Sequence, residues 1–312
     1  MKQILDIRQV SNGHWVGNGF PVHTIFSYQE LGRELSPFLL LDHAGPTSFD
    51  PTTEERGVDW HPHRGFETVT IVQAGEVEHE DSAGNGGRIG PGDVQWMTAG
   101  GGVLHKEMHG RDYARRGGPF EMLQLWVNLP AKQKLTRPRY QALLSTAIPV
   151  VNLPDGAGSA RVIAGPWVGP WVGRGVGRGV GRGVGRGAGP ETGTAVATGP
   201  AQTVTPVILY ELRLQATHRV VLDLPEGYTA GLFVMQGELA VNDGAPATVR
   251  DLVVLDRHGS GVTLEARTDA AIFVMSGEPI DEPISGYGPF VMNTQDEIRQ
   301  AINDIQSGRF AI

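Results

Sequence analysis

The stretch WHPHRGFETVTIVQAGEV, residues 60–77, sets two histidines around a proline and then runs into a β-branched, apolar segment that ends at Gly75. In an extended strand, residues i and i+2 project from one face, so His61 and His63 point together and Pro62 points away. Proline has no N–H to give a ladder and belongs at the start of a strand or on an edge. The pair is therefore expected at the mouth of a β structure. Two histidines by themselves more often make ordinary hydrogen bonds than hold a metal.

A second pair changes that balance. The segment GPGDVQWMTAGGGVLHKEMHG, residues 90–110, runs from a Pro-Gly-Asp turn through a short strand and a glycine-rich loop to His105 and Glu107. These again stand at i and i+2 and share a face. Two strands, each offering two donors, can supply four ligands to one ion: His61, His63, His105 and Glu107. Three imidazoles and a carboxylate leave coordination positions open and suit Fe(II), Mn, Co, Ni or Zn, so small molecules can bind there.

Composition narrows the class. The chain of 312 residues can hold two domains, and 40% hydrophobic with 19% charged residues suits a globular protein. Lys+Arg 26 against Asp+Glu 34 gives a net charge of −8, which argues against a nucleic-acid partner. With no cysteine, thiolate sites and disulfides are excluded. The opening MKQILDIRQVSNGHWVG lacks the apolar core of a signal peptide, and no apolar run has the length of a membrane span. A cytoplasmic enzyme or binding protein, without a membrane partner and monomeric, is the expectation.

Short apolar runs such as FETVTIVQAG, EMLQLWVNLP and AAIFVMSG alternate with Gly/Pro turn signals, the pattern of an all-β sandwich or barrel. The end of the chain departs from it. Thr294 precedes Glu297 by three positions, a capping box, and Ile298, Ala301, Ile302 and Ile305 share one helical face before Gly308. A helix is expected there. Between Gly173 and residue 188 the chain reads GRGV GRGV GRGV GRGA, preceded by a doubled GPWV. Glycine at every second position costs too much backbone entropy to fold unaided, and no aromatic interleaves the arginines as in RNA-binding tracts. The segment reads as an expanded surface loop, an insertion spanning about residues 165–200.

The strings HPHRGFETV, HED, PGD, QWMTAG, LQLWVNLP and GPFVMNT resemble the pirin family, whose members are bicupins. The resemblance covers the chain apart from the insertion. It implies two cupin barrels in tandem, all-β with a C-terminal helix: an N-terminal metal-binding barrel over 1–135, a connecting segment over 136–202, and a C-terminal barrel without metal ligands over 203–312. It also implies that His61, His63, His105 and Glu107 hold one divalent transition metal, Fe(II) foremost, with Mn, Co, Ni, Cu or Zn as alternatives. The glutamate of the general cupin motif would fall at Thr68. In pirins the carboxylate ligand has moved to the position of Glu107. Glu67, one place off, reads equally as a residue behind the ligands or as a surface or loop-facing charge. His79 and His109 read as solvated or hydrogen-bonded side chains rather than as a fifth ligand.

In the second half, the positions matching His61 and His63 by distance from Gly237 are Asp223 and Pro225, and His218 and His258 stand alone. That barrel has lost its ligands. The resemblance implies quercetin 2,3-dioxygenase chemistry: a flavonol and O2 as substrates, with Glu107 serving as ligand and as the base for the 3-hydroxyl proton. The flat substrate would need an aromatic mouth, for which Phe38, Phe66 and Trp96 are candidates, with core packing as their alternative role. The competing reading is a redox- or metal-sensing regulator that binds transcription factors or metabolic enzymes.

Overall fold

A computed structural model describes residues 1–10, 12–168 and 196–310. The GRGV repeat lies outside the described residues. The chain divides into two compact units: Met1–Arg8 with Pro149–Pro200 and Val207–Ser276, and Gln9–Ile148 with Ala201–Pro206 and Gly277–Ile312. Each is an antiparallel barrel built from a seven-stranded and a four-stranded sheet, the double cupin architecture expected from the sequence. No described helix is long and apolar enough to cross a membrane.

The unit that carries the His-x-His segment has a seven-stranded sheet whose central strands are Val94–Thr98, Phe66–Ala74, Gly118–Asn128 and Phe38–Phe49. The four-stranded sheet holds Gly57–His63, Val103–His109, Val77–Asp81 and Gly86–Ile89 in that order. Phe66–Ala74 is buried along almost its whole length, in keeping with its β-branched and apolar stretch from Thr68 to Val72. Cross-strand pairing sorts the inner face into rows. One row is apolar: Val72, Met122, Ala44 and Val22 are cross-strand neighbours and join a cluster with Val77 and Phe120. The next row reads Ala142, Gln95, Thr70, Gln124, Asp42 and Thr24. A third carries Tyr140, Met97, Thr68, Trp126 and Leu40.

The other unit has a large core among its described residues. Leu212, Leu232, Val253, Leu264 and Ile272 belong to it, drawn from both of its sheets.

The helix Gln295–Gln306 forms where the capping box placed it. Thr294 Oγ1 accepts from the Glu297 N–H at 3.2 Å, and Glu297 Oε2 accepts from the Thr294 N–H at 2.8 Å. Gly308 follows with φ +69°, the left-handed turn that stops the helix. Ile298, Ala301, Ile302 and Ile305 pack on Phe290, Met292, Phe310 and Leu104. The sequence reading assigned 203–312 to the second barrel as one segment. The compact units divide differently, because this helix buries its apolar stripe against Leu104 and so joins the unit of the first barrel.

Candidate metal centre

Gly57–His63 and Val103–His109 pair antiparallel, with Val103 opposite His63 and His105 opposite His61. Cross-strand neighbours on one face bring their side chains together. The ring centroids are 4.3 Å apart for His61–His105, 4.9 Å for His61–His63 and 4.9 Å for His63–His105. One nitrogen from each ring lies within 4.8 Å of the other two. Just past His63, Gly65 has φ +91°, and a Cβ there would meet the Val291 carbonyl oxygen, so the chain can turn into the next strand only with glycine.

The three imidazoles differ in their surroundings. His61 is half-buried, and its Nδ1–H donates to the Asp59 carbonyl at 2.8 Å, which leaves the Nε2 lone pair available. His63 and His105 are buried, and both nitrogens of each lack a hydrogen-bond partner among the described residues. A buried polar group left unpaired costs about 1–3 kcal/mol, so this arrangement is expensive without something between the rings. Burial, and secondarily the neighbouring imidazoles, hold the His63 and His105 pKa values well below the ordinary histidine value. They are neutral at physiological pH, the state in which imidazole ligates a metal. The donor set fits a transition ion.

Glu107 stands apart from that group. The pairing slips between His105 and Glu107, so Glu107 lies opposite Val58. Its buried carboxylate faces the polar row: Thr70 Oγ1 lies 3.3 Å from Oε1, and Gln124 Nε2 donates to Oε2 at 3.4 Å. Thr70 also donates to Gln124 Oε1 at 2.6 Å. Burial pushes the Glu107 pKa up, opposed by the nearby His61 and the Thr70 and Gln124 bonds. The structure thus brings His61, His63 and His105 together and holds Glu107 beside them.

Other residues singled out in the sequence fall as follows. Glu67 is fully buried, which corrects the surface-charge reading; it lies on the sheet face opposite Thr68 and accepts from Thr98 Oγ1 at 2.6 Å. His109 is a core residue whose Nε2 bonds the Gly19 carbonyl at 2.9 Å. His79 pairs with Glu107 across the ladder and stacks on Tyr140 at 5.3 Å. Phe38, Phe66 and Trp96 are all buried, and of these Phe66 touches the site, edge-on to His63 at 5.2 Å. In the other unit, His218 bonds the Ala216 carbonyl and His258 is an exposed partner of Asp256. Among the described residues the three-histidine group is the single cluster of three or more metal-ligating side chains. Sequence reasoning missed Thr70, Gln95, Gln124, Trp126 and Tyr140, because their approach to the site depends on strand register across the barrel.

Two cupin barrels with one imidazole cluster, in the first, define a bicupin. The Pirin family model matches residues 19–127, and the Pirin C-terminal cupin domain model matches 209–311. The chain belongs to the pirin family. A Pseudomonas aeruginosa protein named "Putative quercetin 2,3-dioxygenase PA2418" is 50% identical over 310 residues, covering 99% of each chain. A crystal structure of a quercetin 2,3-dioxygenase from Acinetobacter baumannii is 46% identical with a TM-score of 0.89, covering 99% of this chain and 98% of that one. The bacterial pirin YhhW from Escherichia coli, solved in complex with nickel(II), shares the fold at a TM-score of 0.61 and 17% identity, over 88% of this chain and 99% of that one.

Proposed function

We propose that this chain is a metal-dependent dioxygenase that opens the heterocyclic ring of a flavonol such as quercetin with O2. The observation that carries the reading is the trio of imidazoles, two of them buried without hydrogen-bond partners among the described residues, beside a buried carboxylate. His61, His63 and His105 hold one divalent ion, Fe(II) foremost, with Mn, Co, Ni, Cu or Zn as alternatives, and Glu107 completes the set. The names of the similar proteins from Pseudomonas and Acinetobacter support the substrate class. The nickel in YhhW supports a divalent metal. When bound, the ion supplies a Lewis acid with open positions that lowers the pKa of a hydroxyl brought to it.

The protein's own groups do the rest. The Asp59 carbonyl fixes the His61 tautomer so that Nε2 faces inward. Glu107 Oε1 or Oε2 accepts the 3-hydroxyl proton, and the Thr70 and Gln124 bonds restrict the rotation of the carboxylate.

The test is aerobic loss of the flavonol absorption band with metal-loaded protein and its absence after chelation. Glu107→Gln keeps an oxygen donor but cannot take a proton, so the rate falls about 100- to 10,000-fold beyond any metal loss. Wild-type protein with a full complement of iron that leaves quercetin intact in air would sink the enzyme reading.

A further inference from the structure

The inner row Gln95, Thr70, Gln124, Asp42 and Thr24 is out of place in a barrel core. The row on one side of it is apolar, formed by Val72, Met122, Ala44 and Val22. Buried polar groups are costly unless bonded, and most of the row meets that requirement. Thr24 donates to Asp42 at 2.6 Å, Thr70 donates to Gln124 at 2.6 Å, and Gln124 donates to Glu107 at 3.4 Å. Gln95 is the exception: the residue is 2% exposed, yet its Nε2 has no hydrogen-bond partner among the described residues.

Its place in the register says what it faces. Gln95 lies between Ala142 and Thr70, and the Thr70 hydroxyl reaches Glu107 across the barrel. The neighbouring row supplies two aromatic side chains. Trp126 packs against Phe66 at 4.3 Å and lies edge-on to His63 at 5.5 Å. Tyr140 stacks on His79, the ladder partner of Glu107. Aromatic side chains and an unsatisfied amide donor on adjoining rows suit a planar aromatic ring system carrying oxygens.

We infer that Gln95 is a specificity-determining residue whose side-chain amide donates to one oxygen of a planar, multiply oxygenated aromatic substrate, while another oxygen meets the histidine centre. This rests on the flavonol reading and adds to it the group that selects for a second oxygen. Aromatics with a single oxygen would leave the amide unpaired.

The test uses the full chain loaded with cobalt(II), with quercetin as probe in the absence of oxygen and azide as a probe of the metal alone. Gln95→Met removes the donor at similar length, and Gln95→Glu keeps the shape but replaces the donor by an acceptor. Both variants should retain wild-type metal content and azide affinity and bind quercetin about tenfold more weakly or worse. Unchanged quercetin affinity in either folded variant would overturn the assignment. So would loss of metal, of azide binding or of the fold in both, since Gln95 would then be a structural residue. If wild-type protein with full metal binds azide but no quercetin, the flavonol reading itself fails, an outcome distinct from a failure of Gln95 alone.

Discussion

At the scale of single residues, the centre is defined by what its side chains lack. His63 and His105 are buried and their four ring nitrogens have no hydrogen-bond partner among the described residues, so an ion held between the rings would satisfy one nitrogen of each. His105→Ala should abolish stoichiometric metal while the far-ultraviolet dichroism keeps its β signature, as checked by elemental analysis of the purified variant. Retention of one ion per chain by His61→Ala/His63→Ala would place the metal elsewhere. Thr70 offers a finer test, since its hydroxyl touches both Glu107 and Gln124. Thr70→Val keeps the shape and removes those contacts. Metal content should persist, while turnover falls about 10-fold, the worth of one buried hydrogen bond of ~1–1.5 kcal/mol. Thr70→Ser should recover most of the rate.

Among the elements, the Gln295–Gln306 helix and the strand before it brace the segment that follows His63. Arg64 Nη1 donates to Asp304 Oδ2 at 2.7 Å, and its guanidinium lies over the Phe310 ring at 4.5 Å. Lys134 ties the same segment from another side, donating to the carbonyls of Gly65 and Val291 at 2.8 Å each and to Asn128 Oδ1 at 2.7 Å. Burial pushes the Lys134 pKa down to about 7, partly offset by Glu282 and Glu297. An amine whose folded pKa lies below its unfolded value binds fewer protons folded than unfolded between the two. Its contribution to stability therefore rises with pH, from about 7 towards the ordinary value of 10.5. Subtracting the stability–pH curve of Lys134→Met from that of the wild type should expose this rise; a flat difference across that window would contradict it. Lys134→Met should also be less stable at neutral pH, because it strands three buried acceptors.

For the whole molecule, two separate cores imply separable effects. Leu255→Ala or Ile272→Ala cuts a cavity into the apolar core of the unit without histidine ligands and should cost about 2–5 kcal/mol. Metal stoichiometry in the folded protein should stay at the wild-type value, as read by metal analysis alongside denaturant unfolding. The repeat invites a similar test. The short strands Pro166–Trp167 and Ala197–Thr198 pair with each other as a separate two-stranded sheet, so the described residues on either side of the repeat are neighbours. Deleting residues 173–188 should leave metal content and turnover unchanged, and a large loss of either would show that the repeat serves the centre.

Sequence alone determined the class of fold, the helix and the three histidines that meet. Each is written in local periodicity: i, i+2 pairs in strands, short runs between turns, and a capping box ahead of a 3.6-residue stripe. The absence of ligands in the second half could be counted residue by residue. Tertiary structure decided what depends on register. The slip between His105 and Glu107 that turns the carboxylate towards Thr70 and Gln124 has no signal in the strand itself. Glu67, one residue from the inward-facing Thr68, falls on the opposite face and is buried there, so a one-place shift in sequence became a change of side. The row that gathers Gln95, Thr70, Gln124 and Asp42 draws on strands distant in the chain, and only their pairing puts the four polar groups at one level of the barrel. Likewise, the helix was legible as a helix, but the apolar partner it covers was not. A hydrophobic stripe specifies that it must be buried, and the fold supplies the surface that buries it.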